Sequence, residues 1–279
     1  MAPSFRIIGG PEPQSPVVMS VPHAGRDYPL ALRAALRAPL ASLATLEDRH
    51  VDAIALAARG EEMLLLQVAP RAWIDLNRGE HERDPLIDEG ARGGHMSAKV
   101  RAGLGLVPRR TATAGELWRR RLCAEEVEAR IVSDHRPYHE ALGDALAAAR
   151  ARFGVAVLLD VHSMPPIAGG RARFVVGDRF GRAAAGRFVH RVETELADSG
   201  IAYALNTPYA GGHILERHGR PHEHIHAIQL EIDRSLYLDQ RLDAVGPGID
   251  DVVALVRAIV DALADEAVCP PGSTALAAE

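Results

Sequence analysis

The sequence predicts a single α/β domain built on a central, mainly parallel or mixed sheet flanked by helices. Three observations predict it. Short runs of β-branched and apolar residues recur along the chain, each stopped by turn residues. Segments of helical period separate them, and such alternation is the signature of layered α/β architecture. The 279 residues contain no internal repeat and no linker, so 1–279 is expected to form one catalytic domain.

The elements follow in order. The opening to Pro16 is rich in Pro and Gly and is expected to be loose. Pro16-Val17-Val18-Met19-Ser20-Val21 reads as a buried strand that stops at Pro22-His23-Ala24-Gly25. Leu46 to Arg59 carries apolar residues at Val51, Ile54, Ala55 and Ala58 and is expected to be a helix with Thr45 as its N-cap. Glu62 to Val68 and Ala72 to Leu76 are expected strands. The stretch 79–115 is charged and weakly periodic, the pattern of an excursion or lid. A long helical pattern runs from Glu116 to Arg152 with a break expected near Pro137, because proline removes a backbone donor. Val155 to Val161 is the clearest buried strand; Arg173–Val176 and Ala227–Ile232 are further strands. Helices are expected over Arg182–Ala197 and Asp250–Ala264, and the residues from Cys269 to the end as a frayed tail.

Bulk properties narrow the function. A net charge of −5 argues against a nucleic-acid surface, which needs a basic stripe. No apolar run reaches the roughly 18 residues of a spanning helix, so no membrane partner is expected. The first residues lack the apolar core of a signal peptide, and two cysteines make no disulfide framework; a cytoplasmic location is expected.

Chemistry gathers where buried strands end, at His23, His162 and Glu231. Ligands of open α/β sheets bind outside the carboxyl ends of the strands. If these strands are parallel neighbours, two imidazoles and a carboxylate meet in one pocket. Such a set suits one Zn2+, which takes His nitrogens and a carboxylate and keeps a position open for water. Glu231 is the candidate proton carrier; its bland alternative is an ion pair with Arg234. The third ligand stays open between Asp48, Asp52 and Asp27. Asn77 and Arg78 end a strand and offer an amide beside a guanidinium fork, suited to a carboxylate. His218, His222, His224 and His226 crowd one turn without a tight metal-binding spacing. Arg109-Arg110 and Arg119-Arg120-Arg121 read as a solvated helix face.

The ordered set Pro-His-Ala-Gly at 22–25, Asp-Leu-Asn-Arg at 75–78, Asp-Val-His-Ser at 160–163 and Gln-Leu-Glu-Ile at 229–232 resembles the N-formylglutamate amidohydrolase family. More distantly it is similar to zinc carboxypeptidases and aspartoacylases, and so implies a zinc-exopeptidase, phosphorylase/hydrolase-like fold. The segments 47–52, 136–139 and 206–218 extend the resemblance, which covers about residues 16–240. It implies His23 and His162 as zinc ligands, Asp48 as the third, Glu231 as general base, and Asn77 and Arg78 on the substrate carboxylate. Arg136, Asn206 and Arg217 become further candidates for substrate contact, with Arg136 as a cation for the oxyanion. The implied substrate is a small acidic N-acyl amino acid such as N-formylglutamate. Arg26 stands where carboxypeptidases carry their glutamate ligand, and the segment after Arg78 departs from the family pattern. A broader N-acyl-amino-acid deacylase, a peptidase-like hydrolase and a non-catalytic small-ligand binding protein are the rival readings.

Overall fold

A computed structural model describes residues 4–269 apart from Gly93 and His95. The tail expected beyond Cys269 lies outside the described residues. Strands are β1 (Phe5–Ile8), β2 (Val17–Val21), β3 (Met63–Gln67), β4 (Arg110–Thr111), β5 (Gly115–Glu116), β6 (Ala156–Met164), β7 (Phe174–Gly177), β8 (Tyr203–Leu205) and β9 (Ile225–Asp233). Helices are α1 (Leu30–Ala35), α2 (Val51–Ala58), α3 (Ala98–Arg101), α4 (Ala124–Arg130), α5 (Arg136–Phe153), α6 (Gly186–Asp198), α7 (His213–His218) and α8 (Ile249–Val268).

Seven strands form one mixed sheet in the order β1-β3-β2-β6-β9-β7-β8. The middle four, β3, β2, β6 and β9, run parallel; β1 and β7 each run antiparallel to the neighbour on their inner side. This is the mixed α/β sheet that the alternating pattern predicts. Every residue of β2, β6 and β9 is buried, as expected of parallel strands covered on both faces. One face of β6 carries Val157, Leu159 and Val161 into a core shared with α2, α6 and α8. The other face carries Ala156 and Leu158 into a second core with α5. Strand periodicity of two separates these sets.

Several local expectations change. Phe5–Ile8, expected to be loose, pairs with β3 as an edge strand. Its burial pattern is half-exposed, so composition alone gives little strand signal. The helix expected from Leu46 begins only at Val51, and Thr45 is no cap; a 3-10 turn occupies Leu40–Leu46 instead. Ala72–Leu76 is a turn rather than a strand. The Asp75 carboxylate accepts the Asn77 backbone N–H at 2.9 Å, an aspartate-closed turn that competes with extended backbone. The helix expected from Glu116 starts at Ala124, because 110–116 folds into the β4–β5 hairpin. At Pro137 the break takes the form of a π-helical turn over Ile131–His135, wide enough to move the preceding carbonyls off the proline ring. Arg109, expected on a solvated face, is buried and bonded to Asp84 at 2.8 Å. Among the described residues no helix is long and apolar enough to cross a membrane.

The C-terminal helix is clamped to the sheet by charge as well as by its apolar stripe. Arg257 of α8 donates to both Glu62 oxygens at 2.9 Å and to the Ala58 carbonyl at 2.9 Å. Burial raises the Glu62 pKa, but the Arg257 hydrogen bonds outweigh it and hold the carboxyl below its usual 4.5. A depressed carboxyl stabilises the fold above its ordinary pKa and loses that contribution as pH falls through the lowered value. Arg257→Ala is therefore expected to cost about 1–3 kcal/mol at neutral pH, by stranding a buried carboxylate. In denaturant melts the gap from the parent protein should narrow as pH falls below 4.5; a gap independent of pH would reject the ion pair as its source.

Candidate active site

One face of the central strands changes character at their carboxyl ends. Along β2 the inward series passes from Val18 to Ser20, along β6 from Leu158 to Asp160 and His162, and along β9 from Ala227 to Gln229 and Glu231. The register sets His162 beside Glu231 and Asp160 beside Gln229. His23 joins from the turn directly after β2. That turn needs its glycine: a Cβ on Gly25 would lie 2.1 Å from the Ala69 carbonyl oxygen.

His23, Asp48 and His162 each offer one ligand atom within 4.8 Å of the others, all three buried. The two rings stand edge to face, with centroids 4.8 Å apart. Asp48 Oδ2 lies 3.0 Å from His162 Nδ1 and 3.6 Å from His23 Nδ1. Behind each ring sits a second carboxylate. His23 Nε2 donates to Asp75 at 2.7 Å, and His162 Nε2 donates to Asp160 at 2.8 Å. Asp160 is held in turn by the Ser20 hydroxyl at 2.7 Å, which accepts from Tyr138 at 2.8 Å. Both rings thus turn Nδ1 toward Asp48.

That arrangement fits a metal ion. A ligating histidine normally donates its other N–H to a carboxylate or carbonyl, which sets tautomer and orientation. His23 Nδ1 is buried without a hydrogen-bond partner, an orphan that an ion would satisfy. The charges agree. Burial opposes ionisation of Asp48, yet the hydrogen bond from His162 and the nearby His23 ring hold it well below the usual carboxylate range. Asp75 is likewise held low against burial by Arg71 and His23. Burial works against the His162 imidazolium, and Asp160 outweighs it, raising the pKa well above 6.5. The rival ligands point elsewhere: Asp52 is paired with Arg26 at 2.7 Å, and Asp27 is exposed.

The triad opens into a cavity of about 270 Å³. Glu231 lines it and accepts from Gln229 at 2.9 Å. It makes no salt bridge with Arg234 or any other described residue; Arg234 instead binds Asp48 at 3.1 Å. Burial, reinforced by Asp48 and opposed by His162, pushes the Glu231 pKa up to about 7. A carboxyl poised there exchanges protons readily at neutral pH.

Asn77 and Arg78 both line the cavity. Asn77 Oδ1 accepts the Ile214 backbone N–H at 3.0 Å. Gly212 beside it has no room for a side chain, since a Cβ would meet Asn77 Oδ1 at 2.4 Å. Two Arg78 nitrogens are spent on the carbonyls of Leu104 and Asn77 at 2.9 and 2.6 Å, which aims the guanidinium and leaves Nη2 without a partner among the described residues. Arg136, Asn206 and Arg217 do not line the cavity. Arg136 is a surface cation bound through two nitrogens to Glu80. Asn206 ties the loop after β8 to the one after β7, accepting from the backbones of Asp178 and Phe180 and donating to the Asp178 carboxylate. That loop sends Pro208 and Tyr209 to the cavity wall. The cations that do reach the cavity beside Arg78 are Arg71, Lys99 and Arg234. Sequence reasoning missed Arg71 and Lys99 as site residues, since neither stands at a strand end. It also missed the supporting carboxylates Asp75 and Asp160, although each lies two residues from a residue it did select and shares its strand face or turn.

The N-formylglutamate amidohydrolase family profile matches residues 15–238, which span every residue of the cavity. The N-formylglutamate deformylase of Pseudomonas aeruginosa is 30% identical over 236 residues, 81% of this chain and 83% of that protein. Its counterpart from Pseudomonas putida is 32% identical over 233 residues, covering 81% and 82%. The crystal structure of N-formylglutamate amidohydrolase from Ralstonia eutropha superposes with a TM-score of 0.85 at 32% identity, covering 95% of this chain and 98% of that one. With the match running through the His23 turn and the strands of His162 and Glu231, the chain belongs to the N-formylglutamate amidohydrolase family.

Proposed function

We propose that this chain hydrolyses the formyl amide of N-formylglutamate to formate and glutamate, using one zinc ion held by His23, Asp48 and His162. The observation that carries the reading is the pair of carboxylate-backed imidazoles facing Asp48, with the unpaired Glu231 carboxyl on the adjoining strand. When bound, zinc supplies a Lewis acid and lowers the pKa of a water to about 7.

The chain's own residues then divide the work. The Arg78 Nη2 corner takes a substrate carboxylate, and Arg71 and Lys99 make the same wall attractive to a second one. Arg71 answers Asp75 at 2.8 Å, Arg78 reaches the same carboxylate only at 4.0 Å, and Arg234 answers Asp48, so the excess positive charge rests on the loosely paired Arg78 and on Lys99. Two such sites favour a dicarboxylic amino acid over a neutral one. Glu231 takes a proton from the attacking water and returns it to the departing amine nitrogen. In this reading the developing negative charge on the amide oxygen falls to Arg234, which lines the cavity and bonds Asp48 and Ser163, since Arg136 is bound to Glu80 at the surface. The small cavity favours a compact acyl group such as formyl.

Glu231→Gln should keep metal content and fold while lowering kcat by about 10²–10⁴-fold, the usual weight of a positioned general base. Formate release measured at saturating N-formylglutamate tests it, and near-parental turnover would remove Glu231 from the mechanism. Arg78→Lys keeps charge and loses the fork, so its expected signature is a raised KM of tenfold or more, worth about 1.4 kcal/mol. Acetate release from N-acetylglutamate at a comparable kcat/KM would favour the broader deacylase instead.

A further inference from the structure

We propose a second metal site, for a divalent transition-metal ion of the zinc class, between His135, His139 and His213. These residues come from the π-helical turn, α5 and the start of α7. They offer ligand nitrogens within 4.8 Å of one another, and the site shares no residue with the His23–Asp48–His162 set. Metal–nitrogen bonds of about 2.0–2.1 Å would draw these atoms closer together than that limit.

The hydrogen bonds prepare the rings as ligands. His135 Nε2 donates to the Arg78 carbonyl at 2.8 Å, and His139 Nε2 donates to the Leu76 carbonyl at 3.0 Å. Each ring therefore keeps its lone pair on Nδ1, the same outer anchoring that orients histidines at metal centres. His135 Nδ1 is buried without a partner, and so is His213 Nε2. Two buried ring nitrogens of one histidine cluster thus lack a hydrogen-bond partner, as polar atoms awaiting a ligand do. His139 Nδ1 accepts from His218 Nε2 at 3.0 Å, and an ion would displace that N–H, with His218 turning aside or following as a further ligand.

The chemistry of the donor set selects the ion. Burial, joined by neighbouring imidazoles and Arg217, keeps the cluster uncharged: His213 is lowered to about 4 and His218 to about 3. Neutral imidazole is the ligating form, and a nitrogen-only set suits zinc, cobalt, nickel or copper over magnesium or calcium. Glu80, 3.9 Å from His135 Nδ1, supplies nearby negative charge. Because the anchoring carbonyls belong to Leu76 and Arg78, an ion here would brace the turn that presents Asn77 and Arg78 to the cavity. The role is structural reinforcement of that turn, with no part in the chemical step.

The full-length protein is stripped with chelator, saturated with Zn2+ or Co2+, and assayed for bound ion by elemental analysis. The parent should hold two equivalents, His162→Asn one, His213→Asn one, and the double variant none. His162→Asn leaves this cluster untouched, so a retained cobalt with a nitrogen-rich visible spectrum, and a Tm that rises with zinc, supports the site even if His213→Asn folds poorly. Stoichiometry unchanged by His213→Asn, or no ion in His162→Asn, overturns the proposal. A parent protein with one equivalent that only His213→Asn loses would support this site and reject the zinc at His23 and His162.

Discussion

The site depends on one interaction used twice: an imidazole N–H donated to a buried carboxylate, Asp75 for His23 and Asp160 for His162. Without these anchors, two buried rings could choose either tautomer and several rotations. With them, both Nδ1 atoms face Asp48. Each anchor is itself pinned, Asp160 by Ser20 and Tyr138, and Asp75 by Arg71 at 2.8 Å. A chain of satisfied polar groups in a low-dielectric interior is stiff, and stiffness is what a ligand set or a proton carrier requires.

The sheet supplies the remaining geometry. Parallel β6 and β9 bring His162 and Glu231 side by side by register alone, although 69 positions separate them in the sequence. Both strands keep one mainly apolar face, Val157 to Val161 on β6 and Ile228 to Ile232 on β9, packed on α2, α6 and α8, while the other face turns polar at the last few residues. The long apolar face holds the strands in register, because a one-residue slip would exchange the two faces. Polar residues can therefore be buried at the carboxyl edge with the cost borne by the rest of the strand.

The two histidine groups differ in what lies behind them. The rings at His23 and His162 are backed by carboxylates, which add negative charge and support imidazolium character or a strongly held ion. The rings at His135 and His139 are backed by backbone carbonyls and stay neutral. The second group ties α5 and α7 to the turn carrying Asn77 and Arg78, and the Asn77 side-chain Oδ1 ties the same turn to the start of α7 by accepting the Ile214 N–H. Substrate grip and helix packing thus share a hinge point in the fold.

Much of this was legible in the amino-acid sequence. Apolar strand runs stopping at His23, His162 and Glu231 marked the carboxyl edge, because strand burial and strand length are local properties written in consecutive residues. The family motifs added Asp48, Asn77 and Arg78, and all of these line one cavity. The sequence could not place side chains whose neighbours come from distant segments. Arg136 looked like a site cation until Glu80 took it, and the buried Asp75 closed its own turn where a strand was expected. The histidines that cluster in sequence, His222, His224 and His226, form no ligand group among the described residues, whereas His135, His139, His213 and His218 meet from separate elements. Periodicity and turn chemistry act over a few residues, so the chain itself determines its strands and their ends. Which charges pair and which nitrogens converge is decided by long-range packing, where partners are chosen by distance in space.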